Sequence, residues 1–333
     1  MDLLKVNKPA KSIYEMLNDE IMAMEIPEEE KSKMLSSLIK AGSQKINLMI
    51  VGVSGSGKSS TINSLFNMNV AEVGVGVDPE TASIEKYELN NLTIWDTPGL
   101  GDNVEKDKET AQLIIEKLSE VDGDDNMLID LVLVVLDASS KDLSTSYDFI
   151  NKTLIPCLGE DNVNRILIGI NQSDMAMKGR HWNSEQNAPD ETLEEFLNQK
   201  AESVCRRIFE ATNVDIKPIY YCAGYTEDDG TQQAPYNLSK LLYYILASIP
   251  TEKRFAVVNN INNDEQAWLS NDDDMEYNNE IKQGFFESLF GDVEGYTTKF
   301  ALAGTAIIGL PGMIVGIIIG GIADLFAKLV KRD

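Results

Sequence analysis

The chain is short of cysteine, histidine and positive charge. Only three cysteines occur in 333 residues, Cys157, Cys205 and Cys222, and no two are spaced as CxxC. That excludes a disulfide scaffold and fits reduced thiols in a cytosolic setting, each cysteine reading as a small buried apolar residue. The one histidine, His181, stands in a polar loop and reads as a structural residue. No cluster of His, Cys and carboxylate has zinc-ligand spacing, and no nucleophile–base pair is readable. Against 29 Lys and Arg stand 54 Asp and Glu, a formal net charge of −25. So acidic a chain has no cationic surplus to displace counterions, so no nucleic-acid partner is expected. Contact with an anionic membrane would need a local basic cluster. No internal repeat is visible, and the first ten residues lack the apolar core of a secretory signal. What is present is ordinary globular material, 43% hydrophobic and 25% charged.

The apolar pattern changes character three times. Residues 1–45 read as two amphipathic helices broken by Pro27, a helical N-terminal extension. Residues 46–250 alternate strand-like and helix-like segments. The clearest strands are 46–53, 92–96, 131–137, 165–171 and 216–222. Helix candidates lie near 58–67, 107–121, 143–154, 191–212 and 237–249. Three of the strands are almost continuously apolar, as expected for strands covered on both faces. The alternation predicts an α/β fold, a mostly parallel sheet with helices on both sides. Residues 251–297 read as an acidic polar connector, with Asn, Asp and Glu crowding 259–296 like a solvated linker or frayed helices. Residues 298–333 form a glycine-rich hydrophobic tail.

Three short stretches carry chemistry. Gly52 to Ser60, "GVSGSGKSS", fits G-x-x-x-x-G-K-[ST] between a strand and a helix. Glycines let successive backbone N–H groups turn inward around phosphates, and the following helix presents its positive end to the same charge. Ser54, Gly55, Ser56, Gly57, Lys58, Ser59 and Ser60 are the candidate contacts. Lys58 would reach the β- and γ-phosphates, and the Ser59 hydroxyl would ligate Mg²⁺. Asp96-Thr97-Pro98-Gly99 ends the second clear strand, where Asp96 can hold Mg²⁺ through water and the Gly99 amide can approach a γ-phosphate. Asn171-Gln172-Ser173-Asp174 ends another buried strand. The Asp174 carboxylate can accept two hydrogen bonds from guanine, whereas adenine would set a lone pair against it. Each of the last two is weak alone. Three in order, each at the C-terminal end of a parallel strand, is strong, because open α/β sheets bind ligands at that edge.

With these motifs, about residues 46–250 resemble the Era-like GTPases of the translation-factor-related P-loop class. The resemblance implies GTP and GDP as ligands, Mg²⁺ as cofactor and GTP hydrolysis. It implies that Thr81, in "VDPETAS", serves Mg²⁺ and the γ-phosphate and acts in catalysis with Lys58. It also implies that Ala223, in "YCAG", contacts guanine through its backbone. "GRHWN", Gly179 to Asn183, looks like a bacterial branch of the group. Four residues depart from the family pattern. Gln172 stands in place of a lysine that lies across the base, and Cys222 in place of a serine. Gly55 stands where potassium-stimulated relatives carry asparagine. Leu100 follows Gly99 where Ras-type enzymes carry the water-orienting glutamine. Leucine cannot orient water, so turnover is expected to be slow without a partner or self-association. Asp102 is a candidate polar group there, against its reading as a solvated loop acid.

Residues 300–323 hold 24 uncharged positions with six glycines. As one helix they would span about 36 Å at ~1.5 Å per residue, enough for a hydrocarbon core of ~30 Å. Two readings stand, a membrane-inserting segment on the cytosolic face, helped by Lys328, Lys331 and Arg332, or a buried hairpin broken at Pro311. A GTP-hydrolysing switch is the expected function. The other reading is a membrane-acting or self-assembling protein that binds GTP with little turnover.

Overall fold

The computed structural model describes residues 13–23, 27–66, 68, 83–226 and 232–290. Thr81 and the apolar run 300–323 lie outside the described residues.

Among the described residues six strands form the central sheet: β1 (Ile46–Gly52), β2 (Glu85–Leu89), β3 (Leu92–Asp96), β4 (Leu131–Asp137), β5 (Ile166–Asn171) and β6 (Ile219–Tyr220). Their spatial order is β2-β3-β1-β4-β5-β6, and only β2 runs antiparallel. β1, β4 and β5 are the continuous apolar runs, and they occupy the middle, where both faces are covered. Register sets the strand ends level, with Ile50 beside Asp96 and Asp137 beside Asn171. Glu85–Leu89 is an edge strand of alternating, half-exposed polar residues, and sequence reading did not find it. The strand expected over 216–222 is only two residues long. Pro218 has no N–H to donate, and Cys222 turns away to bridge Tyr236.

Helices cover both faces. On one lie α3 (Lys58–Leu65), α6 (Leu238–Ala247) and the flanking helices α1 (Ile13–Ala23), α2 (Glu28–Ser43), α7 (Arg254–Val258) and α8 (Tyr277–Phe290). On the other lie α4 (Val104–Leu118), the helical stretch from Ser144 to Leu158 with a π-helical turn at Ile150–Leu154, and α5 (Glu191–Thr212). Asn103 caps α4 by accepting from the Lys106 amide at 2.9 Å, and Asp190 caps α5 by accepting from Thr192 and Leu193 at 3.0 Å. Such caps contribute about 1 kcal/mol each.

The Asn- and Asp-rich stretch is folded onto the domain. Phe255, Ile281 and Phe285 are buried in the same core as Leu17 and Leu38 of the N-terminal helices. Asp272 anchors it, accepting from Lys240 at 2.5 Å, Tyr277 at 2.9 Å and Asn237 at 3.1 Å. Composition suggested solvated linker or frayed helices here because the apolar positions are sparse. At 281, 285 and 289 they nonetheless fall on one helical face. Among the described residues no helix is long and apolar enough to cross a membrane.

Candidate functional site

The candidate site lies at the C-terminal ends of β1, β3 and β5. After β1 the chain makes a tight loop, with Gly55 at φ +76° and Gly57 at φ +89°. Gly57 is required twice over, because a Cβ there would also lie 2.2 Å from Asn171 Nδ2. At Gly52 a Cβ would meet the Val135 carbonyl oxygen at 2.4 Å. Helix α3 starts at Lys58, and the amides of Gly55, Gly57, Lys58 and Ser59 make no hydrogen bond to any described residue. Inward amides at the positive end of a helix suit an anion. Lys58 Nζ donates to the carbonyls of Gly52 and Val53 at 3.3 and 3.4 Å. Burial pushes the Lys58 ammonium down from its ordinary value, while Asp96 and then Asp102 push it back up. Ser56 is wholly buried; its hydroxyl has no partner among the described residues, and its amide donates to the Val53 carbonyl at 3.2 Å.

The Asp96 stretch is laced to this loop. Thr97 donates through both N–H and Oγ1 to the Ile50 carbonyl, Leu100 N–H donates to Gly52, and Ser54 N–H donates to Leu100. Gly99 packs so closely that a Cβ would lie 2.7 Å from Ser54 Cα. The Leu100 side chain is buried in the core beneath the loop. Ser59 Oγ lies 3.5 Å from Asp96 Oδ2, at the limit of a hydrogen bond. Asp96 Oδ1 is buried with no hydrogen-bond partner among the described residues. Burial pushes the Asp96 carboxyl up to about 6, with Lys58 opposing and Glu85 adding to the rise. A buried carboxylate with a spare oxygen, next to a serine hydroxyl and a lysine, has the hard oxygen donors that suit Mg²⁺.

The third motif is tied to the first by one side chain. Asn171 donates from Nδ2 to the Ser56 carbonyl at 3.0 Å and accepts at Oδ1 from the Ala223 amide at 3.0 Å. Gln172, in the left-handed region at φ +61°, donates to the Gly55 carbonyl at 2.7 Å. Asp174 is buried on the short turn Ser173–Met175, beside the Cys222 thiol. Burial first, and then the nearby Asp174 carboxylate, hold that thiol well above its ordinary range. The Ala223 carbonyl accepts from Ser64 of α3 at 2.5 Å, and Thr61 and Tyr221 share a hydrogen bond at 2.7 Å. Gly169 makes room for the Tyr221 ring, which a Cβ would approach to 2.7 Å. These cross-links, like those of Ser64 and Tyr221, join residues far apart in the chain, so no local sequence pattern announces them.

Ser54 to Ser60, Asp96, Gly99, Asn171, Gln172, Asp174 and Ala223 therefore come together. His181 stands apart, paired through Nδ1 with Asp190 at 2.8 Å at the start of α5. Asp102 is an exposed loop acid 3.9 Å from Lys106. The three cysteines are free thiols. Among the described residues no group of three or more His, Cys, Asp or Glu could hold a metal by itself.

Residues 47–172 match the family model described as "50S ribosome-binding GTPase". That span contains the phosphate loop and the Asp96 stretch, and it ends at Gln172, inside the third motif. The arrangement is that of a P-loop GTPase domain. An uncharacterized protein of Escherichia coli strain K12, YfjP, is 32% identical over 131 residues, covering 38% of this chain and 41% of that protein. Human Septin-12 is 39% identical over 75 residues, 19% of this chain and 21% of that one. The chain spans half or less of the length of the curated relatives it matches. Among solved structures, Toc33 from Arabidopsis thaliana in complex with GDP and Mg²⁺ is 18% identical, covering 65% of this chain and 87% of that one at a TM-score of 0.40. At that TM-score the likeness bears on neither ligand nor assembly.

Proposed function

We propose that this chain is a GTP-binding, GTP-hydrolysing switch of the Era-like group. The observation that carries it is the Asn171 side chain, which bridges the phosphate loop at Ser56 and the Ala223 loop. That bridge fixes the Asp174 carboxylate relative to the amides that would hold a triphosphate, so base and phosphates are gripped by one rigid assembly. In this reading the amides from Gly55 to Ser60 and the Lys58 ammonium bind the phosphates, and Asp174 accepts from the guanine edge. The Ala223 amide already serves Asn171, which makes its contact with guanine indirect. Mg²⁺ would be held by Ser59, by Asp96 through water and by Thr81, and would neutralise charge on the terminal phosphates. The Gly99 amide is set to report the γ-phosphate, because its loop is hydrogen-bonded directly to the phosphate loop.

A route out of the site supports the switch. Asn262 caps the far end of α3, its amide donating to Leu65 at 2.8 Å and its Nδ2 to Ser64 at 3.1 Å. Ile261 bridges Phe66, and Asn260 bonds Asn90 and Asn91 at the β2–β3 turn. The stretch 260–262 thus touches the end of α3, where the segment that carries Thr81 begins, and the β2–β3 turn at the far end of β2. Nucleotide-dependent ordering of that segment would reach this stretch at Phe66, and through it self-association or the tail 300–323 at a membrane surface.

The test is turnover of GTP and ATP by the full chain and by Lys58→Ala. Loss of GTP turnover in the variant is expected; equal residual turnover in both proteins removes the hydrolase reading. Burial of Leu100 away from the phosphates favours a second reading, tight GTP binding with little turnover. Absence of hydrolysis even on liposomes would select it. Deleting 298–333 should move the protein from a liposome pellet to the supernatant; a full-length protein already monomeric and soluble without detergent would rule out the tail's insertion.

A further inference from the structure

We propose that the cleft between α5 and the helical stretch Ser144–Leu158 is a second ligand site, separate from the phosphate loop, for a small molecule carrying two or more phosphates. The cleft has a volume of about 660 Å³. That lies within the roughly 300–1,000 Å³ typical of small-molecule sites. Five cations line it, Lys141, Lys178, Arg180, Lys200 and Arg207, against one acid, Asp142. At the chain's own frequencies, 54 acids and 29 cations in 333 residues, its 17 lining residues would hold about three acids and one or two cations. The bias is therefore reversed in a strongly acidic protein.

The cations are brought together from three segments. Lys141 follows β4, Lys178 and Arg180 follow the turn that holds Asp174, and Lys200 and Arg207 stand seven residues apart on one face of α5. None of the five is in an ion pair with a described residue. Asp142 is the one acid among the lining residues, an exposed carboxylate that accepts from the Ser144 amide at 2.9 Å. Lys200 is fixed in the floor, donating to the carbonyls of Ala138 at 2.5 Å and Ser140 at 2.7 Å. With only Asp142 in the lining and Asp137 near Lys200 to oppose them, five gathered cations repel one another on balance. An anion relieves that repulsion, and cationic clefts concentrate anions.

The walls select the class further. The Arg207 guanidinium lies 5.4 Å from the centre of the Tyr147 ring, and Phe196 is 37% exposed at the opening. A planar ring with phosphates would use both the aromatic and the cationic surface, whereas inorganic phosphate would use only the second.

The test titrates sodium tripolyphosphate, with pyrophosphate and inorganic phosphate as shorter probes, into full-length protein saturated with fluorescent mant-GDP and excess Mg²⁺. The mant signal reports the phosphate loop independently, so failure of either site is read apart from the other. One tripolyphosphate is expected per chain, bound more tightly than phosphate, with the mant signal unchanged. Affinity should fall about tenfold or more in Lys178→Gln/Arg207→Gln and in Lys141→Gln/Arg180→Gln. All these residues are exposed, so Tm and mant-GDP affinity should not change. No uptake, uptake that displaces mant-GDP, or equal affinity in all three proteins would overturn the proposal. So would binding of polyglutamate of equal charge without uptake of tripolyphosphate.

Discussion

Replacing Asp96 by asparagine should stabilise the metal-free, nucleotide-free protein while abolishing its response to Mg²⁺. Asp96 sits at the end of β3 with Oδ1 buried and unpartnered among the described residues, and burial pushes its carboxyl from 3.8 up to about 6. An acid that holds its proton more tightly when folded loses folding stability as it ionises. The loss is absent below about pH 4, grows between pH 4 and 6, and is complete above pH 6. The gap between the two values corresponds to about 3 kcal/mol, and about 2 kcal/mol after allowing for solvent reaching a partly accessible group. Asparagine carries no such penalty. In urea unfolding with EDTA, the variant and the parent should therefore have nearly equal stability at pH 4. At pH 7.5 the variant should be more stable by about 2 kcal/mol. Because only the difference between the two proteins is read, the other carboxylates cancel. In the presence of GDP, adding Mg²⁺ should stabilise the parent alone. A gap independent of pH, or a variant less stable than the parent at pH 7.5, would refute the reasoning.

Two further substitutions probe the connections of the site. Gly99→Ala places a methyl 2.7 Å from Ser54 Cα, so the two loops must part. GTP affinity should fall about tenfold or more and Tm by several degrees, and an unchanged affinity by fluorescence titration would show that the loops move freely. Asn262→Ala removes the Nδ2 bond to Ser64 and the Oδ1 bond from the Asp264 amide. It should cost about 1–2 kcal/mol in urea unfolding and weaken the difference in hydrogen exchange between GDP- and GTP-bound α8, whereas an unaltered difference would disconnect α8 from the nucleotide.

The strands that were legible are the ones whose environment leaves a mark on composition. β1, β4 and β5 are covered on both faces and read as apolar runs, and the phosphate loop reads as glycines because its backbone must turn and pack tightly. The edge strand β2 leaves no such mark, since its half-exposed residues are chosen by solvent as much as by pairing. The helix Tyr277–Phe290 was obscured because three apolar positions per two turns are enough to bury it, while Asn, Asp and Glu fill the rest. Gln172, which stands in place of a lysine that lies across the base, also holds the Gly55 carbonyl through its side chain, from a left-handed backbone that no motif records. Asn262 and Ser64 act through bonds to residues some 160–200 positions away, and one sequence cannot reveal such pairings.

The most direct measurement is calorimetric titration of nucleotide-stripped protein with GDP, GTP and ATP, with and without Mg²⁺. Mg²⁺-dependent uptake of one guanine nucleotide per chain is expected, with ATP at least a hundredfold weaker and that preference relaxed in Asp174→Asn. No uptake of either guanine nucleotide, or equal affinity for ATP, would contradict the account.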